Sequence, residues 1–135
     1  MTAGYSGTPL AQKLGLARGI RVWFRKLPDS VRAEIDPEGL GVEEQSVASE
    51  GLQAAVIFVK RRSTLEREVV ALRDLMMSSG FIWACWPKKA SKVETDITED
   101  VIREVALPTG LVDTKVCAVD ETWSGLKLMI RKENR

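Results

Sequence analysis

Two uninterrupted apolar runs of strand length, Ala54-Ala55-Val56-Ile57-Phe58-Val59 and Phe81-Ile82-Trp83-Ala84-Cys85-Trp86, flank a stretch in which apolar residues return with a helical period. A strand with no polar alternation needs cover on both faces, the condition of an interior strand in a parallel sheet. Between the runs, Leu65, Val69, Leu72 and Met76 fall at i, i+4, i+7 and i+11 along one helical face. Ser63-Thr64-Leu65-Glu66 has the form of a capping box at the start of that helix, and Ser78-Ser79-Gly80 marks its end. Strand, helix and strand in this order predict a right-handed βαβ crossover.

The flanking segments extend the same pattern. Thr8-Pro9 with Leu10, Leu14 and Gly15 predicts a short first helix. Ile20 to Leu27, with Val22-Trp23-Phe24, predicts a strand, and Pro28-Asp29-Ser30 opens a helix reaching about Ile35. Residues 36–53, rich in Gly and Glu, predict an irregular connection with one short edge strand around Val42 to Val47. Thr98 with Glu99 and Asp100 starts a second crossover helix that turns Val101, Ile102 and Val105 to the sheet and stops at Pro108-Thr109-Gly110. Leu111 to Val119 and Leu126 to Arg131 then form a hairpin whose loop contains Gly125. The expectation is a single α/β domain over residues 1–135. It is a three-layer Rossmann-like domain, with a mostly parallel sheet of about five strands and an antiparallel C-terminal hairpin.

Charge and residue usage narrow the chemistry. Twenty Lys and Arg stand against nineteen Asp and Glu, so the chain as a whole has no field to attract nucleic acid or an anionic membrane, and neither is expected as a partner. Histidine is absent. That excludes Ser-His-Asp and Cys-His nucleophilic machinery and a closed zinc site of the usual Cys and His kind, so no metal is expected. No cofactor is expected either. Acid-base work would fall to Asp, Glu, Lys or Tyr5. Cys85 and Cys117 lie in apolar strand-like segments and read as buried thiols. The segment Met1 to Ser6 lacks the blocks of a secretory signal and no apolar run is long enough to span a bilayer, which predicts a cytoplasmic protein. Tyr5-Ser6-Gly7, ahead of the first helix, is expected to fray, the alternative being a lid folded over the crevice.

Two crossovers ending in an antiparallel hairpin resemble the C-terminal half of the Rossmann-like fold of S-adenosylmethionine-dependent methyltransferases. Those enzymes carry a Gly-rich turn after the first strand, whereas the strand here runs into Lys26-Leu27-Pro28-Asp29-Ser30, and no clear acidic residue stands at a second strand end to hold a ribose. This is the fold likeness without the cofactor motif. Four segments carry a second likeness: Tyr5 to Leu10, Trp86-Pro87-Lys88-Lys89-Ala90-Ser91, Thr95 to Asp100, and Asp120 to Lys127. In these the chain resembles a family of small bacterial domains of unknown function. That resemblance implies a fold and a bacterial, cytoplasmic origin and brings no activity, cofactor or catalytic residue.

Candidate functional residues collect where the strands end. Lys60-Arg61-Arg62, with Lys88, Lys89 and Lys92, makes a basic cluster, and Ser63 at the following helix start would add free N–H groups suited to an anion. The competing reading is solvated charge paired with Asp96 and Glu99. The hairpin residues Asp120, Glu121, Thr122, Trp123 and Ser124 bring carboxylates, hydroxyls and an indole to the same edge, where Asp120 alternatively ties down the Lys88 loop. Alternation puts Trp83 and Trp86 on opposite sheet faces, so the tryptophans form no single stacking platform; Trp86 and Trp123 remain ligand candidates at strand ends. The favoured reading is a non-enzymatic binding or interaction domain, taking a small anionic ligand or a protein partner in a strand-end crevice. The alternative is an enzyme on an anionic substrate, with Asp120 or Glu121 as base and Lys88 or Lys89 as electrostatic stabiliser. The terminal hairpin offers an edge for homodimer pairing.

Overall fold

The computed structural model describes residues 7–135; Tyr5 and Ser6, and with them most of the segment expected to fray, lie outside the described residues. Helices α1 (Leu10–Lys13), α2 (Asp29–Ile35), α3 (Pro37–Leu40), α4 (Arg62–Leu75) and α5 (Glu99–Ala106) surround strands β1 (Arg21–Arg25), β2 (Glu43–Gln45), β3 (Leu52–Phe58), β4 (Met76–Pro87), β5 (Leu111–Ala118) and β6 (Trp123–Ile130). The strands form one sheet in the order β2-β1-β3-β4-β6-β5. Only β6 runs against the rest, pairing antiparallel with both β4 and β5. The Rossmann-like α/β expectation therefore holds, with six strands in place of about five. The apolar runs do lie side by side as β3 and β4, but β6 separates them from β5.

Each face of the sheet has its own core. Ile57, Ala84 and Leu126 pack with Leu65, Val69 and Leu72 of α4 and Ile102 of α5, while Val22, Val56 and Trp83 pack with Leu14 beside α1 and with Val31 and Ile35 of α2. Burial on both sides explains why β3 carries almost no polar residue. Trp83 and Trp86 belong to opposite cores, as the alternation requires. Both cysteines are free and buried, and burial pushes the Cys85 and Cys117 thiols up, away from thiolate chemistry.

Several boundaries differ from expectation, each for a local reason. The Ser63 capping box does not form: Arg61 occupies the N-cap position without a side-chain cap, and Glu66 pairs with Arg62. Met76 leaves the helix and opens β4. The pairing then jumps from Leu52 with Met76 to Ala54 with Phe81, so Met77 to Gly80 bulge out of register and mimic a helix end. At α5, Thr98 Oγ1 does accept from the Val101 N–H at 3.2 Å, as the sequence predicts.

Gly125 corrects a second expectation, because it lies inside β6 and not in the hairpin loop. It stands directly between Cys85 on β4 and Cys117 on β5. A Cβ there would come within 3.0 Å of Trp83 Cε3 and 3.4 Å of Cys85 Sγ. The missing side chain makes room for the Trp83 ring, which is fully buried and donates from Nε1 to the Leu14 carbonyl at 2.8 Å. A Gly125→Ala protein should lose about 1 to 3 kcal/mol by overpacking, read from its urea midpoint.

Candidate functional site

The chain leaves β1 toward β2 on one side and returns to place β3 on the other side of β1. The space outside the carboxyl ends of β1 and β3 is therefore a topological switch point, where open α/β sheets take their ligands. A crevice of about 390 Å³ opens there. Its cations are Arg25 and Lys26 at the end of β1 and Lys60 and Arg61 just after β3, its apolar wall is Phe58 and Trp123, and Thr64 enters from the first turn of α4. Phe58 and Trp123 meet edge to face with centroids 5.1 Å apart, which fixes the wall.

The cations are only partly neutralised. Arg25 Nε stands 3.5 Å from Glu68 Oε2, and its Nη1 donates to the Phe58 carbonyl at 3.2 Å. Arg61 reaches the exposed Glu94 at 3.4 Å, a pair that solvent screens. Neither Lys26 nor Lys60 has a salt bridge among the described residues, and no carboxylate lines the crevice. Lys26 also holds φ at 53°, the left-handed region that costs a side-chain-bearing residue about 1 to 2 kcal/mol.

The basic cluster read from the sequence is divided. Lys60 and Arg61 face the crevice, while Arg62 pairs with Glu104 at 2.9 Å and Glu66 at 3.4 Å. Lys89 and Lys92 line a separate cavity of about 550 Å³ with Trp86, beneath the 88–98 loop. That loop is pinned to β3 by the Lys60 carbonyl, which accepts from Thr95 Oγ1 at 2.6 Å and from the Asp96 N–H at 3.3 Å. Asp96 also accepts from the Arg62 N–H at 2.7 Å, so a carboxylate of the chain itself already sits at the α4 start near Ser63. Lys88, Asp120, Glu121 and Ser124 are absent from the lining of either cavity.

Asp120 braces the hairpin. Its Oδ1 accepts from the Thr122 and Trp123 N–H groups at 2.8 and 2.7 Å. The Lys88 loop is indeed tied to this hairpin, but through its backbone N–H, which donates to the Thr122 carbonyl at 2.7 Å. Asp120→Ala should cost about 1 to 2 kcal/mol in chemical denaturation, because two turn N–H groups lose a charged acceptor.

Sequence reasoning missed Arg25, Lys26, Phe58 and Thr64. The available signal was Lys26-Leu27-Pro28 at a strand exit; its use depended on knowing that β1 neighbours β3.

No family model and no curated protein matches the chain, so the resemblance to a bacterial family of unknown function finds no support. Its fold has relatives among solved structures. A TehB-like S-adenosylmethionine-dependent methyltransferase from Corynebacterium glutamicum matches with TM-score 0.57 and 8% identity, over 95% of this chain and 90% of that one. A methyltransferase of the same dependence from Aquifex aeolicus gives 0.60 and 12%, over 90% and 88%. Aeropyrum pernix fibrillarin, solved with natively bound S-adenosylmethionine, gives 0.54 and 12%, over 89% and 73%. The methyltransferase-like fold thus spans nearly the whole chain, where the sequence suggested only its C-terminal half. This breadth overturns the reading as a non-enzymatic binding or interaction domain. The alternative with Asp120 or Glu121 as base and Lys88 or Lys89 as stabiliser falls too, since Asp120 is spent on the turn and none of these residues enters the crevice.

Proposed function

We propose that the chain is an enzyme of the S-adenosylmethionine-dependent methyltransferase class, working at the crevice outside β1 and β3. The observation that carries this reading is the sheet itself: order β2-β1-β3-β4-β6-β5 with β6 alone reversed, matched over 95% of the chain, and a crevice at its switch point. Fold likeness alone does not assign a reaction, so the lining has to be weighed against the cofactor.

S-adenosylmethionine brings a sulfonium, an ammonium, a carboxylate and an adenine. Phe58 and Trp123 suit the adenine, and any of the four cations suits the carboxylate. For the sulfonium the lining offers only the aromatic faces of Phe58 and Trp123, the same faces the adenine would take, and the sulfonium and ammonium would otherwise meet Arg25, Lys26, Lys60 and Arg61 with no carboxylate among them. The lining by itself does not fit the cofactor, and no methyl-transfer step is derived from it.

The class assignment has a direct test. The purified chain is incubated with methyl-labelled S-adenosylmethionine and, separately, with the small-molecule and macromolecular fractions of a bacterial extract. Label appearing in either fraction supports the reading. A folded chain that labels neither removes it.

A further inference from the structure

The crevice and the cavity beneath the 88–98 loop belong to opposite cores of the sheet. Phe58 and Trp123 of the crevice pack in one, whereas Trp86 and Ile97 of the cavity pack in the other, and no residue lines both spaces. We propose that the cavity binds a small apolar carboxylic acid, its body against Trp86 and Ile97 and its carboxylate at Lys89 and Lys92. The site adds to the methyltransferase reading and does not depend on it.

The ligand class follows from which groups in the lining are already engaged. Thr95 Oγ1 donates to the Lys60 carbonyl at 2.6 Å and accepts from the Ile97 N–H at 3.1 Å, and Thr98 Oγ1 accepts from the Val101 N–H at 3.2 Å. Glu94 turns outward to Arg61 at 3.4 Å. That leaves Lys89 and Lys92, which have no salt bridge among the described residues, beside an apolar lining of Trp86, Pro87, Val93 and Ile97. An inorganic anion would leave the apolar surface uncovered, and a neutral hydrocarbon would leave both ammonium groups without a partner. A second negative charge on the ligand would meet Glu94.

The space is also held open by the chain itself. The 88–98 loop is tied down where the Lys88 N–H donates to the Thr122 carbonyl at 2.7 Å, braced where Ser91 Oγ donates to the Lys88 carbonyl at 2.6 Å, and tied again at Lys60 through Thr95. A ligand therefore has little backbone to order on entry. The volume of about 550 Å³ lies in the range of roughly 300 to 1,000 Å³ typical of small-molecule sites. Lys92 holds φ at 62° where it ends the short turn Lys89–Ser91, a position at which glycine would be free of strain, yet the residue there carries a charge on the rim.

Titration of the intact nitrogen-labelled chain with octanoate and, separately, phenylacetate tests the site, since the tryptophan side chains report separate places. Each acid should shift the indole N–H resonance of Trp86 and leave those of Trp83 and Trp123, which pack in the opposite core. The tighter of the two should bind with Kd below about 1 mM. Octanamide, the neutral analogue of octanoate, should bind about fivefold weaker, the effect of one well-placed exposed ion pair. Lys89→Ala with Lys92→Ala should weaken octanoate by the same factor of about five and leave octanamide unchanged, because the lysines then act through the carboxylate alone. Lys92→Gly should weaken octanoate without lowering the melting temperature, since it relieves strain as it removes charge. Val93→Trp, which fills the cavity, should abolish binding of both acids; if that variant is unstable, the lysine pair, both exposed, decides the matter.

No binding of either acid, or a shift at Trp123 in place of Trp86, overturns the cavity site. Octanoate and octanamide binding equally, or octanoate binding unchanged in the double lysine variant, overturns the carboxylate's place at Lys89 and Lys92. None of these results touches the label-transfer test, and a chain that binds the acid but transfers no label keeps this site and loses the class.

Discussion

A Trp83→Ala protein will unfold with about 3 to 5 kcal/mol less free energy than the parent, the upper range for truncating a buried aromatic residue. Trp83 is fully buried in the middle of β4. Its ring lies across the gap left by Gly125, and its Nε1 donates to the Leu14 carbonyl at 2.8 Å, which fastens the end of α1 to the sheet. Alanine leaves a void walled by apolar residues that water does not fill, and it removes the donor from a buried carbonyl. Trp83→Phe should cost less, about 1 to 3 kcal/mol, because the aromatic volume largely stays while the hydrogen bond is lost. Urea titration followed by far-UV circular dichroism measures both. A loss under about 1 kcal/mol for alanine would mean that α1 is not seated through this contact.

Trp83 also marks how far the sequence could be read. The central layout was legible because continuous apolar runs and a helical repeat are imposed by burial, and burial leaves residue types that can be counted: β3, α4, the core of β4 and α5 all follow from it. Local chemistry at α5 was legible too, since Thr98 caps it within a few residues of sequence. What the sequence withheld depends on partners distant in the chain. Gly125 looks like a loop residue until Trp83 of the neighbouring strand is placed over it. Met76 looks helical until the bulge at Met77 to Gly80 is paired against β3. Helix α3 did carry its signal, with Asp36 accepting from the Gly39 N–H, Pro37 in the first turn and Gly41 at the end, but the surrounding Gly and Glu content drowned it.

The candidate site divides along the same line. Lys60, Arg61 and Trp123 were legible as residues at strand ends. Arg25 and Lys26 became part of the site only when the strand order put β1 next to β3, and strand order is a property of long-range pairing that composition does not encode. The acidic hairpin misled for a related reason: Asp120 has the residue type of a catalytic base but spends its oxygen on two backbone N–H groups three residues or fewer away.

Trp123→Ala is the second large effect. Trp123 is 9% exposed, heads β6, pairs with Pro87 and packs edge to face on Phe58. Removing its ring costs about 3 kcal/mol, at the lower end of the aromatic range, since the void opens into the crevice and water enters, unlike the closed void left at Trp83. The hairpin itself survives. Asp120 still accepts from the residue-123 N–H, and the residue-123 carbonyl still accepts from the Val119 and Asp120 N–H groups at 2.9 and 3.2 Å. Urea titration followed by far-UV circular dichroism measures the loss. Trp123→Phe should restore most of the stability, because a ring again packs on Phe58. A loss under about 1 kcal/mol for alanine would mean that the edge-to-face contact with Phe58 does not hold the head of β6.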